Sequence, residues 1–150
     1  MNPVILSAPA RHLVEDHVRK ALPQEAVGLL AGDDQGKVEL VLPLSNISND
    51  RYSFLADPFE QYKALRHIKG LGLKLLAIYH SHPGGGATPS SADLKYAQAW
   101  NCWNLVLAVN VTGAIPEKLQ AFRCLSCGSL EFSLVKTALD LEVRGPIPSP

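Results

Sequence analysis

Leu73-Lys74-Leu75-Leu76-Ala77-Ile78-Tyr79, followed by His80-Ser81-His82, is the stretch on which the fold turns. A nearly unbroken apolar run of this length reads as a central strand covered on both faces. Strand side chains repeat their direction every second residue, so the two imidazoles at its carboxyl end share one face and Ser81 points to the other. Seen alone, such a pair of histidines is a polar strand end in solvent. Held by a buried strand and followed by Gly84-Gly85-Gly86, they are also the beginning of a zinc site, which favours nitrogen ligands at about 2.0–2.1 Å.

Upstream, Asp57-Pro58-Phe59-Glu60 starts a helix with three agreeing signals: an N-cap acid, proline at the first helical position and a carboxylate three residues after the cap. The helix is expected to run to about Lys69, with Phe59, Tyr62 and Leu65 as its core face and Gly70 and Gly72 as its end. Earlier still, Pro9 to Leu22 gathers Leu13, Val14, Val18, Ala21 and Leu22 on one side of a helix that Pro23 stops. Glu25 follows, then a strand over Ala26 to Ala31, a turn at Gly32-Asp33-Asp34 and a returning strand over Lys37 to Leu44. Downstream, Pro83 to Pro89 is a loop, Ser90 to about Trp100 a helix and Leu105 to Val111 a strand. Leu119 to Leu125 and Ser129 to Val135 then flank the hairpin signal Ser126-Cys127-Gly128. This order predicts an α/β sandwich, a central mixed sheet with flanking helices. One domain is expected over residues 1–143, with the proline-rich residues 144–150 as a frayed tail.

Composition narrows the function. Fourteen basic and fourteen acidic side chains cancel, leaving no overall field to draw in nucleic acid or an anionic membrane. No apolar run approaches the roughly 18 residues of a membrane span, and Met1 to Ala10 lacks the pattern of a signal peptide. A cytoplasmic protein is expected. Its three cysteines, Cys102, Cys124 and Cys127, are read as reduced; the CxxC spacing of the last two lacks the four ligands of a structural zinc. His12, His17 and His67 have no metal-type spacing and are read as surface or core-edge residues, and Trp100 and Trp103 as core anchors.

Two further segments carry chemistry. Ser90-Ser91-Ala92-Asp93 is on its own a capping pattern, serine at the N-cap and an acid three residues on. If Ser90 caps, Asp93 lies in the first turn, and the loop from Pro83 to Pro89 is long enough to fold that turn toward the histidines. Two imidazoles and a carboxylate leave the fourth tetrahedral position for water, which distinguishes a catalytic zinc from a closed structural one. Amide hydrolysis also needs a base, and Glu25, at a helix-to-strand junction, is the best candidate. By itself such a glutamate is an exposed surface carboxylate.

Together, His80-Ser81-His82, seven intervening residues, Ser90, two more and Asp93 resemble the motif of the JAMM, or MPN-plus, metallopeptidases. Pro23-Gln24-Glu25-Ala26-Val27-Gly28-Leu29-Leu30-Ala31-Gly32 is similar to the segment that presents the family's glutamate. The resemblance runs over about Val4 to Val135 and is strongest to the short stand-alone prokaryotic members. It implies a cytidine-deaminase-like (JAB/MPN) fold and one catalytic Zn2+ bound by His80, His82 and Asp93. It also implies that Glu25 is the general acid/base and that Ser90 stabilises the oxyanion. The implied substrate is a ubiquitin-fold or sulfur-carrier protein with a C-terminal Gly-Gly, cut after its last glycine. Val27, where cysteine is common, and the glycine-rich loop depart from the pattern without removing a ligand. Two alternatives stay open: a non-catalytic MPN-type scaffold or binding module, and a zinc hydrolase of a small amide.

Overall fold

The computed structural model describes residues 1–126 and 128–138. The chain runs β1 (Ile5–Ser7), α1 (Ala8–Ala21), β2 (Val27–Gly32), β3 (Val38–Leu44), α2 (Pro58–Gly70), β4 (Lys74–Pro83), α3 (Ser91–Ala97), β5 (Trp103–Val109), β6 (Gln120–Cys124), β7 (Leu130–Leu134) and β8 (Lys136–Ala138). Six strands form one sheet in the order β3-β2-β4-β5-β6-β7. Only β4 and β5 run parallel within it, so the sheet is mixed, as expected. A parallel pair, β1 with β8, stands apart.

The two faces of the sheet bury different helices. Ala77 and Tyr79 of β4 cluster with Val14 and Val18 of α1, whereas Ile78 clusters with Ala64 and Ile68 of α2, with Tyr96 of α3 packed alongside. Strand β2 is buried along its whole length, which is what apolar residues on both faces of an interior strand produce. Gly28 pairs with Tyr79 across β2 and β4, and a Cβ there would overlap the Tyr79 ring. Glycine is therefore required at this crossing for steric reasons alone.

Several expectations are corrected. Strand β4 continues through both histidines to Pro83, because β2 pairs with it as far as His80 and β5 as far as Pro83. Strand β5 starts at Trp103 and ends before Val111: the Asn110 side chain accepts from the Thr112 and Ala114 N–H groups and turns the chain. Helix α3 closes at Ala97, where tighter bonds from Ala99 to Tyr96 and Trp100 to Ala97 replace the α-helical pattern. Leu13 is exposed. Phe59 and Tyr62, expected in the core, are also exposed. Glu60 accepts from the Ser45 N–H and so faces the sheet; Ala64 and Ile68, four and eight residues on, follow it inward and turn Phe59 and Tyr62 outward. Cys127 and the tail 144–150 lie outside the described residues. Among the described residues no helix is long and apolar enough to cross a membrane.

Candidate active site

The site forms where three segments meet at the carboxyl end of β4. Val27 pairs with His80 in an antiparallel register, so Glu25, two residues before Val27, falls on the face of β4 that carries His80 and His82. The rear face secures this placement. The Ser81 hydroxyl accepts from the Ala26 N–H at 2.8 Å, and the Ser81 N–H donates to the Ala26 carbonyl at 3.1 Å. The Asn46 amide adds a third tie, donating to the Glu25 carbonyl at 2.9 Å.

Helix α3 brings in the second carboxylate through its cap. The Ser90 hydroxyl accepts from the Asp93 N–H at 3.1 Å, and Oδ2 of Asp93 accepts from the Ser90 N–H at 2.8 Å, a complete capping box. The same carboxylate meets both imidazoles: Oδ1 lies 3.2 Å from Nε2 of His80 and Oδ2 lies 3.0 Å from Nε2 of His82. Cap and cluster therefore use one side chain at once. The two Nε2 atoms stand 3.2 Å apart, and ligand-type atoms of Glu25, His80 and His82 all fall within 4.8 Å of one another.

The spacing of the two imidazoles fits a tetrahedral metal. With bonds of about 2.0–2.1 Å, the ligand atoms of tetrahedral zinc stand about 3.3–3.4 Å apart, close to the 3.2 Å between the two Nε2 atoms; Asp93 meets the imidazoles through different oxygens, Oδ1 at His80 and Oδ2 at His82. Nδ1 of His82 lies 2.9 Å from the Gly86 carbonyl. A proton on Nδ1 satisfies that carbonyl whether Nε2 carries a second proton, donated to Asp93, or turns its lone pair to a metal. Glu25 is 5% exposed, and its Oε1 is buried without a hydrogen-bond partner. Buried carboxylate oxygens are seldom left so, and the Glu25 carboxylate lies beside the two imidazoles.

Electrostatics follow from burial and neighbours. Burial pushes the Glu25 carboxyl up to about 7; His82 pulls against this, while Asp93 and Asp50 add to it. Burial also opposes the charge on Asp93, but the bonds from His80 and His82 prevail and hold its carboxyl well below the usual range. His80 is lowered by burial, and His82 is raised chiefly by its bond to Asp93.

Four contributors to the site escaped the sequence reading: the Ser81 hydroxyl, the Asn46 amide, the Gly86 carbonyl and the Phe54 ring, whose centroid lies 4.6 Å from that of His80. Only Ser81 had a legible signal, its position opposite the histidines. Elsewhere, Cys102 is buried and its thiol is pushed up to about 12 by that burial, the behaviour of a core residue. His12 is exposed, and His17 is half-buried against Tyr79.

Comparison with known proteins agrees with this geometry. The chain belongs to the family described as prokaryotic homologs of the JAB domain, whose pattern it matches over residues 7–125. It is 44% identical over 99 residues to the probable TtuB-protein conjugate cleaving protease of Thermus thermophilus, an overlap of 63% of this chain and 65% of that one. It is 30% identical over 95 residues to the CysO-cysteine peptidase of Mycobacterium tuberculosis, with overlaps of 63% and 65%. The chain thus spans about 65% of the length of these curated relatives. A JAB1/MPN domain protein of Archaeoglobus fulgidus shares the fold, with a TM-score of 0.58 at 18% identity over 90% of this chain and 98% of that one.

Proposed function

We propose that the protein is a zinc-dependent peptidase or isopeptidase that hydrolyses the bond after the C-terminal glycine of a ubiquitin-like or sulfur-carrier protein. In this reading His80, His82 and Asp93 hold the metal, Glu25 is the general acid/base and Ser90 stabilises the oxyanion. The observation that carries it is the buried, unpartnered carboxylate oxygen of Glu25 beside two imidazoles that Asp93 already draws together.

Zinc bound here supplies a Lewis acid and lowers the pKa of water from 15.7 to about 7. Glu25 takes a proton from the attacking water and returns it to the departing nitrogen, and its burial tunes it for both transfers. The Ser90 oxygen accepts from the Asp93 N–H, so its own hydrogen is left to donate to the carbonyl oxygen under attack. Asp93 and the Gly86 carbonyl hold the imidazoles in place throughout.

The substrate class rests on the family and on the relatives, one named for cleaving a protein conjugate and one for a protein–cysteine bond. An extended tail ending in glycine suits such a site, because residues without side chains lie flat beside the metal. We read residues 1–143 as one catalytic domain with 144–150 as its tail, working in the cytoplasm.

Zinc content and cleavage, measured together, test the reading. The substrate is a ubiquitin-fold protein carrying a C-terminal Gly-Gly extension. Wild type is expected to hold about one zinc and to cleave, Glu25→Ala to keep zinc without cleaving, and His82→Ala to lose both. Absence of zinc under metal-replete conditions would favour a scaffold instead.

A further inference from the structure

Glu25 stands just ahead of β2, outside the ladder that pairs Val27 with His80. The bonds from Ser81 reach Ala26 and stop there. Glu25 also borders an open cleft of about 410 Å3, shared with His17, Gln24, Asn46 and Glu60, so close packing does not enclose it on that side. A displacement of about 1 Å in a reacting group can cost about 100-fold in rate. Neither the sheet nor the core alone therefore fixes the base against the metal site.

Asn46 supplies what they lack. Its Nδ2 donates to the Glu25 carbonyl at 2.9 Å and to the Ser53 carbonyl at 3.3 Å, while Oδ1 accepts from the Ser48 N–H at 3.0 Å and the Leu55 N–H at 2.9 Å. A side-chain amide has two N–H donors and two acceptor lone pairs, so this one is fully engaged, and only this orientation of the amide suits its partners. Ser53 and Leu55 flank Phe54, and the amide thus grips the chain on both sides of that ring. Phe54 in turn packs on His80, with centroids 4.6 Å apart, and meets Tyr96 edge-on at 5.1 Å. Tyr96 lies on α3, about one turn beyond Asp93.

We propose that Asn46 is a positioning residue that sets the separation between base and metal site, holding Glu25 by its peptide and His80 through the Phe54 ring. The inference rests on the peptidase reading above and adds to it a residue outside the ligands and the base. Asn46 touches no reacting atom; it gives the two halves of the reaction centre one shared anchor. Losing it lets Glu25 and the His80 wall move independently, which slows the chemical step and leaves binding of the carrier nearly unchanged.

The test uses the full, zinc-loaded chain and a ubiquitin-fold carrier with a C-terminal Gly-Gly extension. Asn46→Ala is expected to lower kcat by about 10- to 100-fold, with KM within about threefold and bound zinc unchanged. Ser53→Ala removes the 2.8 Å hydroxyl pair of Ser48 and Ser53 but leaves all four partners of the amide, so its kcat stays within about threefold of wild type. Asn46→Asp keeps an acceptor for Ser48 and Leu55 yet turns an oxygen to the Glu25 carbonyl; its kcat stays low, and it carries the test if Asn46→Ala fails to fold. Asn46→Ala combined with Phe54→Leu loses little more than the worse single variant. Wild-type kcat in Asn46→Ala or Asn46→Asp, an equal loss in Ser53→Ala, or fully multiplicative losses in the double variant overturn the proposal. If wild type does not cleave, the peptidase reading fails, and NMR of the zinc-loaded chain decides the anchor. The His80 ring protons in Asn46→Ala are then expected to move toward their positions in Phe54→Leu; unchanged positions end the proposal.

Discussion

The two faces of β4 at its carboxyl end are built to opposite rules. On the rear face the polar groups are paired: Tyr79 O–H lies 2.7 Å from Nδ1 of His17, and the Ser81 hydroxyl holds Ala26 at 2.8 Å. On the front face, one strand position away, two imidazole nitrogens and the two Asp93 oxygens make contacts of 3.0–3.2 Å, and a buried carboxylate oxygen of Glu25 has no partner. Buried polar groups are normally satisfied within the chain. The rear face obeys that rule and positions the front; the front breaks it, as functional sites do.

Substitutions on the front face are the strongest way to break this contrast. Glu25→Gln is expected to lower kcat by about 100- to 10,000-fold, the span of general acid–base catalysis, with bound zinc and thermal midpoint preserved. His82→Ala is expected to remove the metal as well, by metal analysis. On the rear face the currency is stability. Gly28→Ala drives a Cβ into the Tyr79 ring and is expected to cost about 1–3 kcal/mol, a fall of roughly 5 °C in Tm by calorimetry. Ser81→Ala strands the buried Ala26 N–H, at a cost of about 1–3 kcal/mol by denaturant titration. It loosens Glu25 without touching the metal, so kcat should fall by less than about tenfold.

The smallest effect sharpens the picture of the rear face. Burial lowers the pKa of His17 below its usual 6.5. Below 6.5 the unfolded chain binds this proton more readily than the folded one, so stability falls as pH drops from 6.5 through the lowered value. The slope is at most about 1.4 kcal/mol per pH unit for one proton. In zinc-loaded His17→Gln that component of the pH dependence of stability should be missing, as denaturant midpoints between pH 5 and 7 would show.

What the sequence disclosed follows the range of the physics involved. The caps at Asp57 and Ser90, the β2–β3 hairpin and the alternation in His80-Ser81-His82 act over a few residues and were readable. Asp93 joins His80 and His82 because it serves the cap and the imidazoles at once, which spacing allowed but did not require. The parallel pairing of β1 with β8, about 130 residues apart in register, left no local trace. Asn46 and Phe54 lie in an irregular loop without periodicity, so nothing nearby showed that one ties down Glu25 and the other packs on His80. Phe59 and Tyr62 misled because hydrophobicity alone does not set helix rotation; the polar anchor Glu60 does.

Zinc K-edge X-ray absorption on the loaded protein tests the front-face site most directly. One tightly held zinc per chain is expected, coordinated by two imidazole nitrogens and oxygen only, at about 2.0–2.2 Å. Sulfur in the coordination shell, or zinc that survives loss of His80 and His82, would place the metal elsewhere and contradict the assignment.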